Sequence, residues 1–220
     1  MLEMPFRMKL YNYWRSSASY RVRLALEFKQ LTYEYVAISL LQGEQFEAAH
    51  RARNPWGSVP VLEIAHDGEK RYIAQSVAIL EYLEECFPQR ALLPKSSIER
   101  ALVRSMVELI NSSIQPFQNL STLNYLHDVV RTDNKAWARF WIDKGLTALE
   151  TQAQKSAGSA LVGDAFTLAD VCLLAQLFSG RRLTDITAEK YPTLCRVEAN
   201  YIHAPFVEKA KPEAQPDASL

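Results

Sequence analysis

The hydrophobic period of this chain changes once along its length, and that change restricts it to a mixed α/β layer followed by helices. From Lys9 to about Phe87, runs that alternate every second residue interleave with runs of helical period. Beyond "PQRALLPKSS", which carries two prolines and no sustained period, strand signals vanish. "MKLYNYW" reads as a strand, "ASYRVRLALEF" as a helix with Val22, Ala25 and Leu26 on one face, and "TYEYVAI" as a second strand. "VPVLEI" and "KRYIA" follow as short strands joined through "AHDG", where Asp67-Gly68 is a hairpin signal. "SVAILEYLEECF" closes the set as a helix whose Val77 and Leu80 mark an apolar face and Glu81 and Glu84 a polar one. Strand, helix, strand, then strand, strand, helix make a complete small α/β layer.

These signals predict an α/β domain over residues 8–87, a linker over 88–96 and an all-helical domain over 97–211. In the second domain "SIERALVRSMVELINSSIQPFQNL", "KAWARFWIDKGLTALETQAQ", "TLADVCLLAQLF" and "PTLCRVEANYI" read as helices, and Thr167 with Asp170 makes a capping-box start to the third. The polar, proline-containing end "KAKPEAQPDASL" reads as a loose surface segment.

Several function classes lose support at this level. Lys plus Arg and Asp plus Glu both number 25, so the chain lacks the basic footprint that a phosphate backbone requires, and no nucleic-acid partner is expected. Cys86, Cys172 and Cys195 form no Cys-x-x-Cys pair; they read as buried thiols in a reducing, cytoplasmic setting. The start "MLEMPFRMKLYNYW" has no apolar run of signal-peptide length, and the richest apolar window is interrupted by Asp164 and Asp170, so neither export nor membrane spanning is expected. His50, His66, His127 and His203 are scattered without a helical i, i+4 pair, and no metal site is expected. A Gly-rich phosphate loop and a serine nucleophile elbow are both missing, which argues against nucleotide binding and hydrolysis.

Three short motifs remain, each with a structural and a functional reading. In "YNYWRSSASYRVRLAL" a strand delivers into a helix N-terminus at Ser16 and Ser17, where unpaired amides, the helix dipole and two hydroxyls would stabilise an anion, or where one serine simply caps the helix. In "SVPVL", Pro60 cannot sit inside a ladder, so the strand is an edge or starts at the proline, leaving backbone at Val59 for an extended ligand. In "AQSVAIL", Gln75 and Ser76 open a helix, either as a plain cap or as a dock for a carboxylate.

Taken together and in this order, "YWRSSASYRVRLAL", "NPWGSVPVL", "QSVAILEYLEE", "IQPFQNLS" and "TLADVCLLAQ" resemble the zeta class of glutathione transferases, whose best-known members are maleylacetoacetate isomerases. The resemblance runs over nearly the whole chain. It implies a thioredoxin-like α/β N-terminal domain, an all-α C-terminal domain, a homodimer, and glutathione as cofactor. It assigns Ser16 as main donor to the glutathione sulfur with Ser17 beside it, Val59 before a cis Pro60 to the cysteinyl backbone, and Gln75 and Ser76 to the γ-glutamyl carboxylate. Gln45, and Gln115, Asn119 and Ser121 on the first long helix of the second domain, match positions lining the glutathione site. Arg182, with Arg181 as neighbour, and Arg15 match partners for the carboxylates of a dicarboxylic substrate.

The activity this implies is cis–trans isomerisation of maleylacetoacetate to fumarylacetoacetate by reversible thiolate addition, a step of tyrosine and phenylalanine breakdown. Maleylpyruvate isomerisation, broader glutathione conjugation and a non-catalytic binding module are the alternatives. The chain departs from the commonest pattern at Ala18, where a cysteine is usual, and at Tyr20, where Trp is frequent. The first departure removes a protein-thiol mechanism but not one in which the ligand brings the sulfur.

Overall fold

The computed structural model describes residues 8–66 and 68–218. Asp67, half of the expected hairpin signal, lies outside them. The chain divides into two compact units, Met1–Ala91 together with Ala204–Leu220, and Leu92–His203.

The first unit is built on β1 (Met8–Asn12), α1 (Ser17–Lys29), β2 (Tyr33–Ala37), the short α2 (Ala48–Arg51), β3 (Val61–His66), β4 (Glu69–Ala74) and α3 (Ser76–Cys86). The strands form one sheet in the order β2-β1-β3-β4. β1 runs parallel to β2, which needs the α1 crossover, and antiparallel to β3, which pairs antiparallel with β4. The register sets Asn12 against Ala37, Tyr11 against Val61, and Val61 against Ala74. The exits of β1, β2 and β4 and the entrance of β3 therefore share one end of the sheet. β3 is a central strand, which corrects the edge alternative; it begins at Val61, so Pro60 stays outside the ladder as the other alternative required.

One expectation about helix faces holds and is exceeded, and another is overturned. α1 is buried well beyond its Val22, Ala25 and Leu26 stripe: Arg21 and Arg23 are buried too, because a helix from the far end of the chain covers α1. Glu84, expected on a solvated face, is buried and pairs with Lys29 Nζ at 2.8 Å. The Lys29 ammonium also donates to the carbonyls of Phe87 and Arg90, so this buried charge pair is satisfied by further hydrogen bonds.

The second unit contains α4 (Ser97–Ser113), α5 (Leu120–Tyr125), α6 (Asn134–Ser156), α7 (Leu168–Gly180) and α8 (Pro192–Tyr201). α7 is apolar on nearly every side and occupies the core. Its start is the expected capping box, with Asp170 accepting from both the backbone and the hydroxyl of Thr167. Gly145 in α6 has a physical reason: a Cβ built there would stand 2.2 Å from the side chain of Ile114.

α4 ends earlier than its sequence pattern suggests. Residues Gln115–Gln118 form a 3-10 turn around Pro116, whose missing N–H breaks the helical ladder, and Asn119 takes the N-cap position of α5 without a side-chain cap. Gln115, Asn119 and Ser121 thus lie beyond the first long helix, not on it.

The chain ends with α9 (Pro205–Ala210) and a 3-10 turn over Pro212–Ala214, both part of the first unit. The expected limit at 211 and the loose tail are corrected together: Gln215 and Asp217 are buried and hydrogen-bonded. The expected linker also splits, since Leu92 and Leu93 are buried in the second unit and Leu92 accepts a hydrogen bond from Leu168 N–H. Of the three thiols only Cys172 is fully buried; Cys86 is exposed and Cys195 half-buried. Among the described residues no helix is long and apolar enough to cross a membrane.

Candidate active site

Four connections meet at one end of the first unit's sheet, and they carry its candidate residues. Tyr13 and Trp14 after β1, Leu40 after β2, Val59 before β3 and Ala74 at the end of β4 belong to one apolar cluster with Tyr11, Ile38 and Val61. This packing brings the serine turn, the Val59-Pro60 dipeptide and the start of α3 around a common floor.

Ser16 is the N-cap of α1: its backbone is extended and its Oγ accepts from Ser19 N–H at 3.2 Å. The capping alternative therefore holds, but it does not exclude the other, because a hydroxyl that accepts one bond keeps its own proton to donate. No acidic residue occupies the first turn, so the positive end of the helix dipole is left uncompensated. Ser17, the first helical residue, is buried, whereas Ser16 and Ala18 are half-buried. Tyr11, under the same floor, is no candidate for activating an anion. Burial, aided by the hydroxyl's 2.7 Å bond to Glu63, pushes its pKa up to about 12.

The Val59-Pro60 peptide bond is cis. Neither the N–H nor the C=O of Val59 has a backbone partner among the described residues, which leaves both groups to a ligand. The preceding loop is held by residues that the sequence patterns did not single out. His50 Nε2 and Asn54 Nδ2 both reach the Ser58 carbonyl at 2.9 Å, and Asn54 Oδ1 accepts from Trp56 N–H. Gly57, at φ +68°, lets this loop approach the Gln45 carbonyl, which a Cβ would meet at 3.1 Å.

Gln45 sits in the 3-10 turn Glu44–Phe46 after β2; it is buried and its Oε1 has no hydrogen-bond partner among the described residues. Such an orphaned buried acceptor calls for a donor from outside the chain.

Gln75, not Ser76, is the N-cap of α3. It stands at φ 72°, unusual for a residue with a side chain, and makes no side-chain cap. The first amides of an eleven-residue helix are thus open to an acidic ligand. Ser76 is buried beside them and its Oγ accepts from Arg21 Nη1 at 3.2 Å.

Of the remaining candidates, Arg15 lies in the serine turn and the others in the second unit. Arg15 is half-buried with its guanidinium over the Trp14 ring at 5.7 Å. In the second unit Gln115 is half-buried, Asn119 and Ser121 are exposed, and Arg182 is exposed at the end of α7 with its Nε 3.4 Å from the Ser179 carbonyl. Arg181 is committed to Glu198 through two bonds of 2.6 and 2.5 Å, so it is a structural residue. Buried donors and acceptors of the peptide type, helix starts without an acidic residue and an orphaned amide oxygen fit a tripeptide with a terminal carboxylate.

Comparison with known proteins agrees with this geometry. The family model for the glutathione S-transferase N-terminal domain matches residues 6–85. The maleylacetoacetate isomerase of Dictyostelium discoideum is 44% identical over 213 residues, covering 95% of each chain. A crystal structure of maleylacetoacetate isomerase from Anaeromyxobacter dehalogenans with glutathione bound in its active site is 48% identical, covers 97% of this chain and 98% of its own, and superposes with a TM-score of 0.89. A maleylpyruvate isomerase described as a bacterial zeta-class glutathione transferase is 36% identical over 95% of this chain and 99% of its own, with a TM-score of 0.88. This chain belongs to the glutathione transferase family, in the zeta-class group that includes the maleylacetoacetate isomerases.

Proposed function

We propose that this protein is a glutathione-dependent cis–trans isomerase that converts maleylacetoacetate into fumarylacetoacetate. The observation that carries it is the start of α1, where Ser16 accepts one hydrogen bond, keeps its own proton, and faces no acidic residue in the first turn. When bound, glutathione supplies the sulfur that adds to the cis double bond and leaves again after rotation about the resulting single bond.

The protein's part is to favour the thiolate. Lowering a thiol pKa from ~8.5 to ~6.5 takes about 2.7 kcal/mol. A helix N-terminus contributes about 0.3–2 kcal/mol, and a hydrogen bond to a charged group about 1.5–3 kcal/mol. The Ser16 hydroxyl and the α1 dipole suffice together. Ala18 in place of a cysteine is then no defect.

Val59 would pair its free backbone groups with the cysteinyl unit, the α3 amides with Gln75 and Ser76 would take the γ-glutamyl carboxylate, and Gln45 Oε1 would accept a donor from the tripeptide. Gln115, Asn119 and Ser121 would add to the glutathione site, and Ser17 would back Ser16. Arg182 and Arg15 would meet the substrate's two carboxylates, since carboxylates in an apolar pocket require cationic partners. The protein would work as a cytoplasmic homodimer.

The second reading, maleylpyruvate isomerisation, is favoured by the 36% identical zeta-class structure, but that likeness is weaker than the 48% one. Turnover of both acids, with and without glutathione, in the parent and in Ser16→Ala and Arg182→Ala decides between them. Activity should require glutathione and fall at least tenfold in each variant, following the usual loss for one transition-state donor. Undiminished activity without glutathione removes the mechanism, and normal activity in Arg182→Ala removes that residue's role. Faster turnover of an aryl halide than of either acid makes the protein a conjugating transferase instead.

A further inference from the structure

The turn that presents Ser16 is fastened by the opposite end of the chain. Every polar backbone group of Tyr13 and Trp14 has a named partner. Tyr13 N–H lies 3.5 Å from Ser19 Oγ, and Tyr13 C=O accepts from Ser16 N–H at 3.1 Å and from Arg23 Nη1 at 3.4 Å. Trp14 N–H donates to Asp217 Oδ2 at 3.1 Å, and Trp14 C=O accepts from Arg23 Nη2 at 2.8 Å.

Both charged groups are buried and anchored outside the turn. Arg23 is 0% exposed and spends its other donors on Asn12 Oδ1 at 2.9 Å and on the Ala210 carbonyl at 3.0 Å, at the end of α9. Asp217 is 5% exposed, and its second oxygen accepts from Tyr35 Oη on β2. Burial, then the bond to Asp217, pushes the Tyr35 pKa well up, which keeps that hydroxyl a donor. The carboxylate holds the N–H of the Tyr13–Trp14 peptide and the guanidinium holds the carbonyls of Tyr13 and Trp14, so the two peptide units flanking Trp14, two residues before Ser16, are gripped together.

We infer that Asp217, acting with Arg23, is a positioning residue for the thiolate site: it fixes the Trp14 peptide so that the Ser16 hydroxyl and the first α1 amides converge where the sulfur must sit. It touches no substrate atom. The physical ground is that a displacement of about 1 Å from a remote change can cost about 10²-fold in rate, and that a serine on a free turn would point elsewhere for much of the time. The inference rests on the proposed role of Ser16, and it adds that a residue 201 positions away in the sequence sets the acidity of the bound thiol. A purely structural alternative is that Asp217 only ties the tail to the edge of the sheet.

The test uses the full-length protein and Asp217→Asn, Asp217→Ala, Tyr35→Phe and Ser16→Ala. The bound glutathione thiol is titrated through its thiolate ultraviolet absorbance, amide hydrogen exchange of residues 11–19 is followed in the ligand-free protein, and Tm and kcat/KM are recorded. In the Asp217 variants the bound thiol pKa should rise by ~0.5–1 unit, and exchange at the turn should speed up about tenfold. The loss of kcat should be recovered at high pH. Tyr35→Phe, which spares the Asp217–Trp14 bond, should lower Tm without moving the thiol pKa. Asp217→Asn keeps the shape and one acceptor oxygen, so it reports even if Asp217→Ala fails to fold. An unchanged thiol pKa in Asp217→Ala, or in Asp217→Asn when exchange at the turn has quickened, overturns the inference. An unchanged thiol pKa in Ser16→Ala overturns instead the role of Ser16 on which it stands.

Discussion

A serine hydroxyl at a helix N-cap has one proton and two lone pairs, and Ser16 uses one lone pair on Ser19 N–H. The two duties expected of it, capping and anion binding, can therefore be separated by chemistry. Aspartate caps as well as serine and suits the positive helix end, but it brings a negative charge to where a thiolate must form. Ser16→Asp should keep the parent's unfolding free energy to within about 0.5 kcal/mol, whereas Ser16→Ala loses about 1 kcal/mol. Both should lose turnover, Ser16→Asp the more severely. Urea unfolding beside a turnover assay measures the two columns of this comparison. A large stability loss in Ser16→Asp would mean that the cap geometry is not the one described. The motif's spacing alone left the two functions as alternatives because spacing carries no information on which lone pair is taken.

Helices of the second unit show which caps can be read in a sequence and which cannot. The capping box of α7 joins Thr167 to Asp170, three residues apart, and so was legible. The start of α8 is capped by Glu150, far away on α6, whose Oε1 and Oε2 accept from Thr193 N–H and Leu194 N–H at 3.0 Å each. No local pattern announces that partnership. The same distinction explains the sheet end: the serine turn, Val59-Pro60 and Gln75-Ser76 each left a local mark, while Asn54, His50 and Arg23 act through contacts that only the fold creates. Burial alone would raise the Glu150 pKa, but the bonds from Thr193 and Leu194 outweigh it and hold the pKa below its ordinary 4.5. A depressed native pKa means that the unfolded chain binds more protons, so the stabilisation is present above the ordinary value and is lost as pH falls through the native one. Glu150→Gln should therefore cost about 1–2 kcal/mol at pH 7. The gap from the parent should narrow as pH falls below the ordinary 4.5. Denaturant unfolding of both proteins across that range checks it, and a gap independent of pH would assign Glu150 a packing role only.

The first unit begins and ends the chain, and that closure was hidden because the residues sealing it are polar and their partners are remote. Gln215 and Asp217 look like solvated tail residues until the carbonyls of Lys209 and Lys211, the Tyr35 hydroxyl and Trp14 N–H are placed around them. α9 completes the cover of α1: Val207 and Ala210 are fully buried, and the Phe206 ring meets Phe28 edge-on with centroids 5.3 Å apart. Residues 1–91 alone would expose this face and deprive the buried Arg23 guanidinium of the Ala210 carbonyl. Burying one Val- or Phe-sized side chain contributes about 1.5–3 kcal/mol, and an unsatisfied buried donor costs about 1–3 kcal/mol. Losses of this kind at Phe206, Val207 and Arg23 together rival the ~5–15 kcal/mol that holds a whole domain folded. A fragment of residues 1–91 should therefore lack a cooperative thermal transition and show poor amide dispersion by NMR. The same fragment with residues 204–220 joined through a flexible linker should recover both. Equal cooperativity and Tm in the two fragments would show that the thioredoxin-like unit is complete without the end of the chain, and would leave Asp217 no leverage on the serine turn.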